Sequence, residues 1–211
     1  MAASLEIELK LRADDEAPLR HLASVPRLGP CELGPPREVA ELDRYLDTPD
    51  ARLAAARWAC RLRTRDGSVR VSLKGPAEHE LGDAVHRRPE LEAPAMDDHD
   101  PLRWPASAAR AQLLQLSGGR PLVERLSLRQ RRTERLVSAE RPVGVLSLDR
   151  VTVVAQGHER GRFLAVELEL AGDADEVLAG AVFAELRAID GLAPEPQSKL
   201  ELALAMLPAA P

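Results

Sequence analysis

Acidic and basic side chains alternate with apolar ones near the start of the chain, in Leu5-Glu6-Ile7-Glu8-Leu9-Lys10. Residues i and i+2 of a β-strand point to the same side of a sheet, so Glu6, Glu8 and Lys10 would share one face. Carboxylates at this spacing suit Mg²⁺ or Mn²⁺, which are hard ions that prefer oxygen ligands. The segment therefore offers ligands for a divalent ion beside a cation for an anionic molecule.

Basic residues concentrate in two blocks, although the whole chain carries a formal net charge of −5. Residues 57–74 contain six basic residues against one acid, and residues 120–135 contain six arginines against two glutamates. Arginine suits phosphate because its planar fork donates two parallel hydrogen bonds. Basic blocks in an acidic protein indicate a local anionic ligand rather than a long nucleic-acid track.

The charged positions recur on strand after strand and permit two interpretations. They could form the solvated outer face of a sandwich, or a barrel could turn them all into one lumen. Like charges repel and are costly to desolvate unpaired, so a charged lumen needs polyphosphate against its cations and divalent metal against its carboxylates. The carboxylates are Glu6, Glu8, Glu90, Glu92, Asp149, Glu167 and Glu169, and the cations are Lys10, Arg61, Arg63, Lys74, Arg129 and Arg131.

These side chains would be positioned mainly by alternating strands. Period-two patterns predict strands at 5–12, 60–65, 69–74, 89–92, 126–136, 145–154 and 163–170. Helices are predicted at about 16–23, 106–116, 173–189 and 198–206. With Asp66-Gly67 as a hairpin turn, the pattern indicates an antiparallel barrel with helices packed outside, in the α+β class. We expect residues 1–211 to form one domain.

Composition argues against several other classes of protein. Aromatic residues make up 2% of the chain, too few for a platform on which single-stranded nucleic acid stacks. No apolar run is long enough to span a membrane, and no signal-peptide pattern is present, so we expect a cytoplasmic protein. Cys31 and Cys60 are expected to be unlinked thiols, and the histidines form no zinc signature.

The N-terminal segment Glu6-Ile7-Glu8-Leu9-Lys10 resembles the ExExK signature of the CYTH superfamily, the triphosphate tunnel metalloenzymes. Further segments resemble the family pattern in order, from about residue 4 to residue 205. They are Tyr45-Leu46-Asp47-Thr48-Pro49, Arg61-Leu62-Arg63, Leu73-Lys74-Gly75, Arg88-Pro89-Glu90-Leu91-Glu92, Arg129-Gln130-Arg131-Arg132, Leu148-Asp149, Glu167-Leu168-Glu169 and Ser198-Lys199.

The resemblance implies an eight-stranded antiparallel tunnel that binds triphosphate with one or two divalent ions. It implies metal ligands at Glu6, Glu8, Glu167 and Glu169, with Asp149 and Glu90 or Glu92 in support. It implies phosphate-binding cations at Lys10, Arg61, Arg63, Lys74, Arg129, Arg131 and Lys199. The expected catalytic set is Glu6, Glu8, Lys10 and Glu169.

Two of these assignments have alternatives. Alternation places Arg129 and Arg131 on one face and Arg132 on the other; we assign the first two to the lumen, and a β-bulge would swap them. Lys199 precedes a helical stretch rather than sitting on a strand, so the alternative to phosphate binding is a surface position.

The sequence therefore predicts metal-dependent hydrolysis of inorganic triphosphate to pyrophosphate and phosphate. The alternative within enzymes is hydrolysis of a nucleotide or organic triphosphate, or the chemistry of a class IV-type adenylyl cyclase. The alternative outside enzymes is a non-catalytic polyphosphate-binding module. The expected partner is a small anionic substrate, with neither nucleic acid nor membrane, and a homodimer is plausible because outer faces left uncovered by helices would be apolar.

Overall fold

The computed structural model describes residues 4–76, 78–79 and 85–208. Its strands are β1 (Ser4–Ala13), β2 (Arg27–Leu28), β3 (Cys31–Leu33), β4 (Arg37–Asp47), β5 (Ala59–Arg65), β6 (Ser68–Lys74), β7 (Glu78–His79), β8 (Val85–Pro94), β9 (Val123–Ser138), β10 (Pro142–Ala155), β11 (His158–Leu170) and β12 (Leu192–Pro194). Its helices are α1 (Ala17–Ser24), α2 (Arg52–Ala55), α3 (Ala108–Ser117), α4 (Glu176–Arg187) and α5 (Lys199–Ala205), with a single 3₁₀ turn at Pro101–Arg103.

Eight of the strands close into an antiparallel barrel, as the sequence predicted. Their order around the ring is β10-β11-β1-β8-β6-β5-β4-β9, and β9 pairs with β10 to complete it. The remaining short strands extend the sheet at β9, β1 and β8. Closure leaves no free edge along these eight strands and gives each one an inner and an outer face.

The outer face of the barrel is apolar where helices cover it. One cluster joins Leu9 of β1 and Leu146 of β10 to Leu19 of α1 and Val182 of α4, all fully buried. A second cluster packs Leu62 of β5 against Leu113 of α3. Burying an aliphatic side chain of this size contributes roughly 1.5–3 kcal/mol, so the helices stabilise the barrel from outside and leave the lumen to polar residues.

Helix α5 closes one end of the lumen. Leu128 on β9 and Val151 on β10 belong to the inward-facing rows, and they pack in one buried cluster with Leu200 and Ala203 of α5. The helix begins in a capping box, in which the Ser198 hydroxyl accepts from the Glu201 backbone N–H and the Glu201 carboxylate accepts from the Ser198 N–H. The cap fixes the position of Lys199, the first residue of the helix.

The four predicted helices are confirmed as α1, α3, α4 and α5, with ends that differ by a few residues. The sequence analysis missed strand β4 and the one-turn helix α2. None of the helices in the described ranges is long and apolar enough to cross a membrane. Cys31 and Cys60 are buried in different clusters and are not linked to each other.

Arg135 ties the segment between α1 and β4 to the barrel wall. Its side chain is 4% exposed and donates to four backbone carbonyl groups. Nε donates to Gly34 O at 2.7 Å, Nη1 to Leu22 O and Val25 O at 2.8 and 2.6 Å, and Nη2 to Leu33 O at 2.9 Å. One guanidinium therefore satisfies four acceptors, at the end of α1, at the end of β3 and in the loops beside them.

Replacing Arg135 with alanine would leave these carbonyl groups without their donor. We expect Arg135→Ala to lower the free energy of unfolding by about 2–4 kcal/mol, because buried acceptors that lose a charged donor pay their desolvation cost. Urea unfolding followed by circular dichroism measures the change. Arg125→Ala, an exposed arginine on the same strand, is the control and should stay within about 0.5 kcal/mol; equal effects of the two variants would contradict the role given to Arg135.

Candidate functional site

The barrel lumen is lined by charged side chains of both signs that are shielded from water. They sit on the inward-facing rows of the barrel strands and at the start of α5. The carboxylates are Glu6, Glu8, Glu41, Asp43, Glu90, Asp149 and Glu167, and the cations are Lys10, Arg61, Arg63, Lys74, Arg88, Arg132 and Lys199. The chain has three lysines, at 10, 74 and 199, and all three lie in the lumen.

Glu6 and Glu8 of β1 are paired with cations from neighbouring strands. Lys74 donates to Glu6, and Arg88 bridges both carboxylates, with Nε 2.7 Å from Glu6 Oε2. Burial alone would raise the pKa of Glu8, but Lys10, Lys74 and Arg88 outweigh it and hold that pKa well below its usual value. Glu8 is therefore charged, and both carboxylates are held by ion pairs.

A cavity of about 40 Å³ lies inside the lumen against the start of α5. Lys10, Arg61, Lys74, Arg88 and Lys199 all line it, together with Glu8, Tyr45, Ala59, Glu167, Ser198 and Leu200. Five cations against two carboxylates thus surround one small cavity, where a multiply charged anion could contact several of them.

Two of the cations around this cavity lack full hydrogen bonding within the described residues. The Lys10 ammonium is 4% exposed and lies 3.1 Å from Glu8 Oε1, yet makes no well-aligned hydrogen bond. The Arg61 Nε has no acceptor, and the guanidinium lies 3.7 Å from Asp43 and 4.0 Å from Glu90. Burial lowers the pKa of Lys10, and the charges of Arg88 and Lys74 lower it further. Glu8 raises this pKa, but not enough to bring it back to its usual value. Both groups retain donor capacity for an anion.

On the opposite wall of the lumen, Asp149 is at the centre of a second set of ion pairs. Arg132 donates to both oxygens of Asp149 at 2.7 and 2.8 Å, and Lys199 Nζ lies 2.6 Å from both Asp149 and Glu167. Burial would raise the pKa of Asp149, but Arg132 and Lys199 outweigh it and hold that pKa below its usual value. Lys199 thus points into the lumen rather than to the surface, and it pairs with two of the carboxylates expected to bind metal.

The assignment of Arg129 and Arg131 to the lumen is wrong. Arg132 lies opposite Asp149 in the β9–β10 register and faces inward, whereas Arg129 and Arg131 are exposed on the outer wall. The register runs without a bulge through this part of β9, so plain alternation holds. The physical reason is that the inward row needs a partner for Asp149, and Arg132 supplies it; Gln130 likewise donates to Asp43 at 2.8 Å.

Strand β4 contributes site residues that the sequence analysis missed. Asp43 accepts from Arg63 at 2.6 and 2.7 Å, and Glu41 lies 3.1 Å from the same guanidinium. Burial would raise the pKa of Asp43, but Arg61 and Arg63 lower it to about 2. The signal was present, since Ala40-Glu41-Leu42-Asp43 alternates as the first strand does. Arg88 was also missed, although it stands two residues before Glu90 in a segment that carried the family resemblance.

The other end of the lumen is the open mouth, and its rim is acidic. Glu169 is exposed there and lies opposite Glu8 in the β1–β11 register. Partial burial, together with the nearby carboxylates of Glu6, Glu8 and Glu90, raises the pKa of Glu169 to about 7. Glu90 accepts from the Ser72 hydroxyl inside the mouth. Glu92, by contrast, is exposed outside the lumen, where it forms an ion pair with Arg70 at 2.8 Å.

The carboxylates at the mouth suit a divalent metal by donor type. Glu6, Glu8 and Glu169 are on adjacent strands and supply only oxygen, and the raised pKa of Glu169 reflects its partial burial together with the neighbouring carboxylates. Within the described residues, no three acidic, histidine or cysteine side chains converge as a ready-made metal site. A metal would therefore have to draw Glu6 and Glu8 away from Lys74 and Arg88.

The inward position of Arg132 predicts unequal effects of two matched substitutions. We expect Arg132→Met to lower the free energy of unfolding by about 3–5 kcal/mol, because it leaves Asp149 and Glu167 buried with one cation fewer. Arg131→Met should change it by no more than about 0.5 kcal/mol. Urea unfolding of both variants measures these changes. A larger loss of unfolding free energy for Arg131→Met than for Arg132→Met would show that Arg131 faces the lumen.

The low pKa of Asp43 predicts a contribution to acid sensitivity. Ionised Asp43 stabilises the fold above its unfolded-state pKa of about 3.9, and this contribution is lost as the pH falls towards about 2. Asp43→Asn removes the titrating group, so its unfolding free energy should fall less steeply than that of the wild type over this interval. Urea titrations between about pH 5 and pH 2 measure the two slopes, and identical slopes would show that Asp43 is not held as an ion pair.

Comparisons with known proteins agree with the barrel. A proposed adenylyl cyclase from Hippeastrum, described as having a dominant triphosphatase activity, superposes with a TM-score of 0.67 at 18% identity over 95% of both chains. A proposed adenylate cyclase from Bacillus halodurans gives 0.63 at 20% identity, over 96% of this chain and 98% of the other. A protein from Pyrococcus horikoshii gives 0.57 at 21%, over 95% and 98%.

At these identities the likenesses concern the fold alone. A comparison with curated protein sequences gives no match. The family profile of the CYTH domain matches residues 4–201, nearly the whole chain. The protein therefore belongs to the CYTH family.

Proposed function

We propose that this protein hydrolyses inorganic triphosphate to pyrophosphate and phosphate, with a divalent metal ion, inside the barrel lumen. The observation that carries the proposal is the convergence of Lys10, Arg61, Lys74, Arg88 and Lys199 on one enclosed cavity. Membership of the CYTH family, together with the triphosphatase activity described for the Hippeastrum protein, supports hydrolysis of a triphosphate in general.

The identity of the groups argues for phosphate rather than for a carboxylate ligand. Arg61 and Arg88 offer planar forks that match two phosphate oxygens, while lysine ammonium groups act as compact point charges. A triphosphate carries several negative charges over a short length, so it could contact cations from four strands and from α5 at once. A single carboxylate would leave most of these cations unneutralised.

The cavity is too small for a triphosphate in the arrangement observed, so binding requires an exchange of partners. Lys74 and Arg88 would move from Glu6 and Glu8 to phosphate oxygens, and the two carboxylates would be released. The released carboxylates adjoin Glu169 and would hold the metal. The exchange keeps every buried charge partnered, which limits its free-energy cost.

An inorganic substrate fits the closed end of the lumen better than an organic one. The uncharged lining near the cavity consists of Tyr45, Ala59 and Leu200, and the α5 cluster fills the space beyond it. A nucleobase would need an additional pocket beside the triphosphate. Among the described residues, Tyr45 is the one aromatic side chain that lines this cavity, and it packs in the apolar cluster with α5.

Phosphoryl transfer asks the protein mainly to position the substrate and to neutralise charge. Arg61 and Lys10 would bind the phosphate oxygens with the donors they have free, and Lys199 would bind from the start of α5. A divalent ion held by Glu6, Glu8 and Glu169 would supply charge neutralisation and polarise a phosphoryl oxygen. The packed α5 cluster would exclude water from the closed end, where electrostatic interactions are strong.

The proposal is tested by measuring phosphate release from tripolyphosphate, ATP, thiamine triphosphate and pyrophosphate in parallel, with Mg²⁺, with Mn²⁺ and with EDTA. We expect metal-dependent release that is fastest from tripolyphosphate. Formation of cyclic AMP from ATP would favour the cyclase instead. Tight binding of tripolyphosphate without metal and without phosphate release would favour a binding module.

Two lumen variants distinguish a residue that would hold the metal from one that would bind the substrate. Glu8→Gln should reduce kcat by at least about 100-fold at saturating metal, because it removes a charged ligand. Lys10→Gln should chiefly raise KM if Lys10 binds ground and transition states alike, and lower kcat if its contact forms only in the transition state. Glu32→Gln, an exposed glutamate on β3, is the matched control and should retain activity; full activity of Glu8→Gln would overturn the metal assignment.

A further inference from the structure

Glu6 and Glu8, the carboxylates of β1 that suit a metal, are bound by cations of the same chain. They are 6% and 4% exposed. Lys74 and Arg88 both donate to Glu6, and Arg88 also donates to Glu8. The Lys10 ammonium lies 3.1 Å from Glu8 Oε1, the oxygen that Arg88 contacts. A divalent ion would therefore compete with three cations of the lumen for these two carboxylates.

Arg88 depends on these two carboxylates for its charge balance. Within the described residues its ion pairs are with Glu6 and Glu8 alone, and its side chain is 11% exposed. Lys74 has one further acid within reach, Glu90, at 3.7 Å. A metal ion that took both carboxylates of β1 in the absence of an anion would leave the Arg88 guanidinium buried without a counter-charge, which is costly.

Few other acids stand near the cavity to take over as partners. Of the residues that line it, five are cations and two, Glu8 and Glu167, are carboxylates. Glu167 already accepts from Lys199 at 2.6 Å and from Arg132 at 3.3 Å. A metal alone would therefore add positive charge where cations already outnumber acids, whereas a polyanion would restore the balance.

An anion meets free donors before any of these pairs is broken. Lys10 Nζ and Arg61 Nε are buried and have no hydrogen-bond partner within the described part of the chain. Phosphate oxygens bound there would also attract Lys74 and Arg88, which line the same cavity. The transfer of these two cations to the anion would release both carboxylates of β1 while every cation stays neutralised.

We propose that Lys74 and Arg88 keep Glu6 and Glu8 from binding metal until a polyphosphate enters the lumen. In the paired state the two cations lie on the carboxylates, and in the released state they lie on phosphate oxygens. Metal affinity is low in the first state and high in the second, so the anion acts as the switch. Because coupling between two binding equilibria is reciprocal, the metal raises the affinity for the anion by the same factor. This inference rests on the proposed function and adds the order in which its two ligands bind.

The test measures free Mn²⁺ by electron paramagnetic resonance in titrations of the full-length protein, without anion and with a non-hydrolysable imidotriphosphate. The Mn²⁺ affinity of the analogue alone is measured in parallel, because the analogue also chelates Mn²⁺ in solution. We expect the complex of protein and analogue to bind Mn²⁺ at least about tenfold more tightly than either the free protein or the free analogue does.

Arg88→Gln tests whether the paired state is the cause of this difference. Without the analogue, the variant should bind Mn²⁺ at least about fivefold more tightly than the wild type, because Glu6 and Glu8 lose a competing cation. The same substitution should weaken binding of the analogue, so the two affinities move in opposite directions. Lys74→Gln is the second variant and should show the same pair of changes.

Arg63→Gln is the matched control, since it also removes one guanidinium from the lumen. Arg63 is 14% exposed and pairs with Asp43 and Glu41, and each of these acids keeps a second arginine, Arg61 or Arg65. The control should change the Mn²⁺ affinity of the free protein by no more than about threefold, because it breaks no pair with the carboxylates of β1. Circular dichroism establishes that each variant is folded.

Three results would overturn the inference. The first is a wild-type Mn²⁺ affinity that is the same with and without the analogue. The second is an unchanged or lower Mn²⁺ affinity in Arg88→Gln and Lys74→Gln. The third is an equal rise in Arg63→Gln, which would mark a general effect of lumen charge.

Phosphate release from tripolyphosphate is measured separately from these affinities. If release occurs and the affinities contradict the inference, the proposed function stands without the switch. If no release occurs with any metal, the proposed function fails whatever the affinities are.

Discussion

The barrel interior holds charges of both signs out of water, and each buried charge requires a partner of opposite sign. Isolated charges in such an environment would cost several kcal/mol each. The lumen meets this requirement with a connected set of ion pairs. It runs from Lys199 through Asp149, Arg132 and Glu41 to Arg63 and Asp43. From there, contacts of 3.7–4.0 Å lead through Arg61 and Glu90 to Lys74, and Glu6 links Lys74 to Arg88 and Glu8. The pairs order the interior, and under the proposed function they occupy the positions of the phosphate and the metal.

This constraint determines how the rest of the structure is built. Because the inner rows are ionic, the stabilising apolar surface must lie outside, where α1 and α4 cover one area and α3 covers another. The exception is the closed end, where Leu128 and Val151 face inward and α5 completes an apolar plug. That plug also delivers Lys199 to the lumen, so one short helix serves both packing and the charge balance of the site.

The same constraint explains what the sequence could predict. The charged rows of β1 and β5 could be identified from the sequence because apolar and charged residues alternate strictly in both strands. The run Arg129-Gln130-Arg131-Arg132 was ambiguous, because both faces of the strand carry arginine and only the partner on β10 decides which one is buried. A single strand does not reveal its cross-strand partner, so assigning Arg129 and Arg131 to the lumen gave the wrong answer.

Strand β4 was missed for a related reason. No element was predicted for this segment, although Glu41 and Asp43 supply the counter-charges for Arg63. The family resemblance assigned Lys199 to phosphate binding, but only the tertiary structure decided between the lumen and the surface, because a helix start gives no direction relative to a barrel. Sequence therefore identified the chemical nature of the lumen, while pairing across strands determined which individual residues line it.

The proposed function requires that a triphosphate replace carboxylates as the partner of the lumen cations. A crystal structure with a non-hydrolysable imidotriphosphate tests this directly. We expect phosphate oxygens in contact with Lys10 and Arg61, and separation of Lys74 from Glu6 and of Arg88 from Glu8. An analogue bound outside the barrel, with both of these ion pairs intact, would contradict it.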